Sequence, residues 1–221
     1  MKAAVIGLGK IGLPIAITIA DAGIQVTGGD ASPKVVEEVN SGRAPFPGEP
    51  GLVEGIQRSL SSGLLRATTD NAEAAKNADI IVVIVPMYVD DQGIPDYSIL
   101  ESVSRDIGSV LHAGQTVIYE TTLPVGATRS RLAPILTEVS GLKAGHDFHV
   151  VHSPERVFSG RVFADLKRYP KIIGGLTPSC GDIAKDFYQQ VLVFDDRPDL
   201  DRLNGVWDLG SVEAAEFAKL A

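Results

Sequence analysis

The chain has 221 residues, which is enough for one large domain, or for one domain and the start of another. Lysine and arginine number 20 against 28 aspartates and glutamates, so the formal charge of −8 argues against a general nucleic-acid binder, which needs a basic face to neutralise phosphates. Hydrophobic residues make up 44 % and charged residues 22 % of the chain, values typical of a globular protein and not of a disordered one.

Short apolar runs alternate with helical patterns along the chain, which is typical of βαβ units and a parallel sheet. In chain order, strands are predicted over residues 3–6, 25–28, 65–68, 80–85, 116–120, 148–152, 171–173 and 191–194. Helices are predicted over residues 11–21, 33–41, 52–61, 71–76, 97–111, 127–140 and 181–190, and a last helix begins after Ser211. We therefore expect an α/β fold: a Rossmann-like, doubly wound, mostly parallel sheet with helices on both faces.

Three glycines stand between the first predicted strand and its helix. Gly7 permits a tight turn, Gly9 lets a pyrophosphate approach the backbone, and Gly12 allows the helix to pack closely on the strand. Asp30 ends the second predicted strand, where a carboxylate accepts from both adenosine ribose hydroxyls and repels a 2′-phosphate. The pattern predicts an NAD site. The alternative is a helix start that needs flexible residues, with Asp30 a solvated strand end.

Further motifs, taken with the glycine loop, resemble the UDP-glucose/GDP-mannose dehydrogenase family of nucleotide-sugar 6-dehydrogenases. The matching segments are GLGKIGLPIA (7–16), EPGL (49–52), ADIIVVIVP (78–86), DDQGIPD (90–96), ETTLPVGAT (120–128), SPERVFSGR (153–161) and AAEFAKL (214–220). The form of the SPER motif is more similar to the branch that oxidises nucleotide-linked N-acetylhexosamines, the UDP-N-acetylmannosamine dehydrogenase branch, than to UDP-glucose dehydrogenase.

The resemblance implies an NAD-dependent, four-electron oxidation of a UDP-sugar primary alcohol to a uronate. It implies an NAD-binding domain over residues 1–208 and the start of a long central helix over 209–221, through which members of the family form homodimers. The substrate-binding C-terminal domain and the family's nucleophilic cysteine have no counterpart in this sequence, so we expect this segment alone to be inactive. Two alternatives stay open: a non-catalytic dinucleotide-binding module or partner subunit, and the N-terminal half of another NAD-dependent dehydrogenase.

The resemblance also implies roles for individual residues. The implied catalytic residues are Thr122, Glu155 and Lys219, and the implied substrate-binding residues are Glu155, Arg156, Val157 and Lys219. The implied cofactor-binding residues are Gly7, Gly9, Lys10, Ile11, Gly12, Asp30, Pro86, Met87 and Thr122. Met87 stands where the family has a threonine, and it cannot donate a hydroxyl hydrogen bond. Without the resemblance, Thr122 is interpreted as a β-branched residue that packs at the end of a strand. Glu155 is then a glutamate that accepts hydrogen bonds within its loop, and Lys219 is a surface charge.

The single cysteine and the histidines are expected to have structural roles. Cys180 excludes an intrachain disulfide framework and favours a reducing compartment, so that we expect a soluble, cytoplasmic protein without a membrane span. His149 and His152 are three residues apart in a predicted strand and point to opposite faces, which argues against a zinc site. We therefore expect no metal, no nucleic-acid partner and no membrane partner.

Overall fold

A computed structural model describes residues 1–221 and contains ten strands. They are β1 (Lys2–Ile6), β2 (Gln25–Gly29), β3 (Leu65–Thr68), β4 (Ile80–Val83), β5 (Tyr88–Val89), β6 (Pro95–Asp96), β7 (Thr116–Tyr119), β8 (His149–His152), β9 (Lys171–Gly175) and β10 (Val206–Asp208). Eight of them form one sheet in the order β3-β2-β1-β4-β7-β8-β9-β10, and β5 and β6 form a separate hairpin. Only the β8–β9 pair in the large sheet is antiparallel.

Nine α-helices surround the sheet. They are α1 (Gly12–Asp21), α2 (Pro33–Asn40), α3 (Leu52–Ser61), α4 (Asn71–Ala75), α5 (Ser98–Gly108), α6 (Ala133–Ser140), α7 (Val162–Arg168), α8 (Pro178–Val191) and α9 (Val212–Leu220). A π-helical turn over Thr128–Leu132 leads directly into α6. None of these helices combines the length and the apolar character that crossing a bilayer requires.

The sheet is covered on both faces, as the continuous apolar strands predict. In β4, Ile80 and Val82 belong to one hydrophobic cluster, while Ile81 and Val83 belong to another on the opposite face. This alternation follows from the two-residue period of a strand, and it requires helices on each side. The expected Rossmann-like, doubly wound, mostly parallel α/β fold is confirmed.

The strand predicted over residues 191–194 is wrong. Helix α8 begins earlier than predicted and continues to Val191, after which residues 192–197 lack regular structure. Val191 is buried in the core and contributes to the apolar face of this helix, whereas Val193 is 75 % exposed. A run of four apolar residues does not distinguish a buried strand from the end of an amphipathic helix. Helix α7, strand β10 and the β5–β6 hairpin were not predicted.

Helix α9 packs against β8 and β9. The Ser211 hydroxyl caps its first turn by accepting from the Ala214 amide at 3.2 Å, and the helix begins after Ser211 as predicted. Val212 is buried, whereas Phe217 and Leu220 are 62 % and 54 % exposed. The helix therefore has one face on the domain and one apolar face in solvent.

Candidate functional site

The glycine loop lies at the point where the strand order reverses, between β1 and β4. Gly7 has a φ of 101°, and a Cβ atom there would lie 2.7 Å from the carbonyl oxygen of Ile84. A Cβ atom on Gly12 would lie 1.9 Å from the carbonyl oxygen of Gly7. A Cβ atom on Gly9, in contrast, would meet nothing within 4 Å. The protein itself requires Gly7 and Gly12, whereas Gly9 leaves open space above the loop.

The start of α1 offers free hydrogen-bond donors to this open space. The backbone amides of Gly9, Lys10, Ile11 and Gly12 donate to no acceptor in the protein. Such amides, together with the positive end of the helix dipole, form an anion site that suits a pyrophosphate. The residues present therefore fit the diphosphate of a dinucleotide.

Asp30 follows β2 and is tied to the same loop. Its Oδ2 accepts from the Leu8 amide at 2.9 Å, and its Oδ1 accepts from the Ser32 amide at 2.9 Å. A carboxylate has about four lone-pair sites, so each oxygen keeps acceptor capacity for a ribose hydroxyl. The side chain is partly exposed and stands at the carboxyl end of the sheet, where the sequence analysis placed it.

The segments after β4 and β7 continue this edge of the sheet. The buried Thr121 hydroxyl donates to the Val85 carbonyl at 2.7 Å and joins the two segments. Thr122 is exposed beside it, Pro86 is also exposed, and Met87 packs partly against the core. The free hydroxyl of this pair is therefore on Thr122, the residue that the sequence analysis selected.

The loop that carries the SPER motif is fixed at both ends. Ser153 is buried and donates through Oγ to the Ile172 carbonyl at 2.8 Å. The Glu49 carboxylate accepts from the Gly160 amide at 2.9 Å and from the Phe163 amide at 3.3 Å. This clasp explains the EPGL motif, whose role the sequence did not reveal because Glu49 is more than 100 residues away from its partners.

A buried cluster of charges lies directly beneath this loop. The Lys171 ammonium donates to Glu120 at 2.9 Å and also contacts the Glu155 carboxylate. The Tyr188 hydroxyl donates to the same Glu120 carboxylate. The sequence did not reveal this cationic partner of Glu155. A lysine at the start of a strand is ordinarily exposed, so no local signal marked Lys171.

Glu216 in α9 was also missed as a functional candidate. It is fully buried, and its two oxygens accept from the Gly126 amide at 2.6 Å and from the Thr128 amide at 2.8 Å. These amides are at the start of the helical segment that follows Thr122, where an acidic group is favourable. The ion pair between Arg129 and Glu213, at 2.5 Å, joins the same two elements.

Lys219 in α9 is half-buried and lies within electrostatic range of Arg156 in the SPER loop. Burial lowers the pKa of Lys219, and the positive charge of Arg156 lowers it further. Neither side chain forms an ion pair; the Arg156 guanidinium donates to the Pro170 carbonyl. Val157 is partly buried next to Arg156. Two cations without carboxylate partners form a place where an anion is favourable.

Cys180 and His149 lie apart from this edge, whereas His152 is the last residue of β8 and lies near Lys171. Cys180 is fully buried near the start of α8, 3.1 Å from the Thr177 hydroxyl and 3.7 Å from Nδ1 of His149. His152 is fully buried, and neither of its ring nitrogens has a hydrogen-bond partner. No group of three or more His, Cys, Asp or Glu residues is arranged to hold a metal ion.

The fold and the glycine loop together define a dinucleotide-binding domain of the dehydrogenase class, with NAD as its cofactor. The family model described as "UDP-glucose/GDP-mannose dehydrogenase family, NAD binding domain" matches residues 1–192. The chain belongs to this family.

The relatives that this chain matches in sequence are nucleotide-sugar dehydrogenases by name. The chain is 39 % identical over 191 residues to UDP-N-acetyl-D-mannosamine dehydrogenase of Pyrococcus horikoshii, covering 86 % of this chain and 44 % of the relative. It is 33 % identical over 195 residues to GDP-mannose 6-dehydrogenase of Pseudomonas syringae, covering 86 % of this chain and 44 % of that relative.

Solved structures are similar over the whole chain. The UDP-N-acetylmannosamine dehydrogenase structure from Pyrococcus horikoshii superposes with a TM-score of 0.89 and 34 % identity, covering 100 % of this chain and 49 % of that one. A ternary complex of GDP-mannose dehydrogenase from Pseudomonas aeruginosa superposes with a TM-score of 0.88 and 28 % identity, covering 100 % of this chain and 48 % of that one. The chain thus spans about half the length of the relatives that it matches.

Proposed function

We propose that this chain is the NAD-binding part of a nucleotide-sugar 6-dehydrogenase that oxidises a UDP-linked N-acetylhexosamine to the uronate. The observation that carries the proposal is the unpaired pair of cations, Arg156 and Lys219, beside the Glu155 loop. The similarity to UDP-N-acetyl-D-mannosamine dehydrogenases supports this branch of the family.

Cofactor binding is assigned to the first half of the sheet edge. The free amides of the α1 start hold the pyrophosphate, and Asp30 accepts from the adenosine ribose hydroxyls. Pro86, Met87 and Thr122 line the path from there toward the β7 end. NAD supplies the hydride acceptor when it is bound. Met87 has no hydroxyl group, so it cannot donate the hydrogen bond that a threonine at this position could donate to the cofactor.

Substrate binding is assigned to the other half of the edge. The guanidinium of Arg156 and the ammonium of Lys219 attract the negatively charged nucleotide sugar, and Val157 contacts it through apolar atoms or backbone. The exposed Thr122 lies between this region and the glycine loop along the order of strands. Substrate and cofactor therefore meet near the carboxyl ends of β4, β7 and β8.

The chemistry requires a proton acceptor and an oxyanion donor. Oxidising an alcohol removes a hydride and a proton, and Glu155 is a carboxylate that can take the proton. Thr122 holds a water molecule in place, and Lys219 donates hydrogen bonds to the oxygen that becomes negative. Cys180 is buried away from this edge, so we assign it no part in covalent capture of the aldehyde.

The assembly and compartment of this protein are part of the same proposal. We assign residues 1–208 to the NAD-binding domain and 209–221 to the start of the central helix. The exposed apolar side chains of Phe217 and Leu220 support a homodimer contact along that helix. A single buried cysteine is consistent with a reducing cytoplasm, where sugar nucleotides serve polysaccharide biosynthesis.

Titration calorimetry with UDP-N-acetylmannosamine and UDP-glucose, on the NAD-loaded protein, tests the proposal. We expect the N-acetylated sugar nucleotide to bind more tightly, and Lys219→Met to weaken its binding about 10-fold. Lys143→Met removes an exposed lysine from a distant loop and serves as the matched control. Equal binding by the Lys219→Met and wild-type proteins contradicts the assignment of this site.

A further inference from the structure

Lys171 connects two carboxylates that come from different strands. Strand β9 runs antiparallel to β8, so its first residue, Lys171, lies at the edge where β7 and β8 end. Glu120 follows β7 directly, and Glu155 follows β8 by three residues. The ammonium contacts both carboxylates, and it lies 4.6 Å from the centre of the Tyr188 ring. One cation thus holds together the ends of three strands.

The cluster is nearly closed to solvent. Lys171 is 5 % exposed, Glu120 is fully buried, and the Glu155 side chain is 10 % exposed. Burial and the Glu120 carboxylate raise the pKa of Tyr188 well above its usual value, so this hydroxyl stays protonated and donates to Glu120. Oε1 of Glu120 thus accepts from both Tyr188 and Lys171, and Glu120 in turn fixes the position of Lys171.

No other cation contacts the Glu155 carboxylate. The titratable groups that face the cluster are His152 from β8, Arg156 from the SPER loop, Asp165 from α7, Tyr169 from the following loop and Tyr188 from α8, whereas α1 contributes only Ile15, Thr18 and Ile19. Arg156 donates to the Pro170 carbonyl, and Asp165 accepts from the Phe158 amide and from Arg161. Arg156 and Asp165 are thus engaged outside the cluster, and burial lowers the pKa of His152 to about 3, so that Lys171 is the cationic partner of Glu155.

We propose that Lys171 is a positioning residue that keeps Glu155 ionised and fixed at the sheet edge, with Glu120 and Tyr188 holding Lys171 in turn. This inference rests on the proposed function, in which Glu155 accepts a proton from the substrate. A carboxylate next to an ammonium favours its charged form, which is the form that can accept a proton. The network thus holds Glu155 in its ionised form and in a fixed position before the substrate arrives.

The test follows the titration of the Glu155 carboxyl carbon by NMR on ¹³C-glutamate-labelled protein, with the resonance assigned from Glu155→Gln. Lys171→Met removes the charge, Lys171→Arg keeps it, and Glu120→Gln removes the competing carboxylate at nearly the same shape. Lys185→Met is the matched control, since Lys185 is an exposed lysine of α8. Calorimetry with NAD on the same samples reports on the proposed function separately.

We expect Lys171→Met to raise the midpoint of Glu155 by about 1–3 pH units, Lys171→Arg to restore it, and Lys185→Met to leave it unchanged. Glu120→Gln lowers the midpoint, because Lys171 then serves Glu155 alone. If Lys171→Met fails to fold, the Glu120→Gln result decides. An unchanged midpoint in a folded Lys171→Met or Glu120→Gln protein that binds NAD overturns the positioning role, whereas loss of NAD binding in every sample contradicts the proposed function.

Discussion

Asp30 accepts a hydrogen bond from the Leu8 amide at 2.9 Å, which ties the end of β2 to the glycine loop after β1. The carboxylate that is assigned to the ribose is therefore fixed relative to the amides that are assigned to the pyrophosphate. The two parts follow adjacent parallel strands, and the strand ladder, the Gly7 amide bond to the Gly29 carbonyl at 2.7 Å and the Leu8–Asp30 bond together set their spacing. The cofactor site is thus largely formed before NAD binds.

Substitution of two glycines in the same loop should have opposite effects on stability and on NAD affinity. Gly12→Ala places a methyl group against the Gly7 carbonyl and should cost about 1–3 kcal/mol in the free energy of unfolding. Gly9→Ala meets no protein atom, so its unfolding free energy should stay within about 0.5 kcal/mol of the wild type. The methyl group of Gly9→Ala nevertheless stands where the phosphates approach, and NAD affinity should fall about 10-fold or more.

Urea denaturation and NAD calorimetry on both variants measure these effects. If Gly9→Ala binds NAD as tightly as the wild type, the open space above Gly9 is not where the pyrophosphate lies.

The Glu216 carboxylate links α9 to the start of the helical segment after Thr122. Glu216→Ala leaves the buried Thr128 amide and the partly buried Gly126 amide without an acceptor and should cost about 2–4 kcal/mol of stability. Hydrogen exchange at the Gly126 and Thr128 amides should accelerate, because their acceptor is gone. Glu138→Ala, which removes an exposed carboxylate from α6, is the control. Unchanged protection of both amides in Glu216→Ala contradicts this account of how α9 docks.

The buried His152 should make the stability of the protein fall at low pH. Burial, helped by the charge of Lys171, lowers the pKa of His152 to about 3 from an ordinary value of 6.5. Between these values the unfolded chain takes up a proton that the folded protein refuses, so stability falls as the pH drops from about 6.5 toward 3. The slope from this single group reaches about 1.4 kcal/mol per pH unit.

His152→Leu removes this acid sensitivity without losing a hydrogen bond, because neither ring nitrogen has a partner. We expect the variant to be at least as stable as the wild type at pH 7 and to lose less stability between pH 6.5 and 5. Parallel pH dependences of the two proteins, measured by urea denaturation, would show that His152 is not buried in its neutral form.

Local sequence patterns predicted the parts of the site that are formed by residues close together in the chain. The glycine spacing and the acid after the second strand are such patterns, because one strand–turn–helix unit followed by one strand contains them all. The boundary of α8 was harder to predict, since the apolar residues at its end fit a strand equally well.

Contacts between residues that are far apart in the sequence could not be predicted from it. Lys171 is 51 residues from Glu120 and 16 from Glu155, and Glu216 is 90 residues from Gly126. In each case the tertiary fold, and not the local sequence, converts an ordinary surface residue type into a buried partner. A sequence can place such a residue in an element, but the register between elements decides what it contacts.

We propose that Asp30 and the glycine loop form the NAD site of this chain. Titration calorimetry with NAD and NADP, on the wild type, on Asp30→Ala and on the exposed control Asp186→Ala, tests it most directly. We expect the wild type and the control to prefer NAD, and we expect Asp30→Ala to bind NAD about 10- to 100-fold more weakly, with a smaller preference for NAD over NADP. Equal binding of NAD by the wild type and a folded Asp30→Ala protein, or a wild-type preference for NADP, would contradict it.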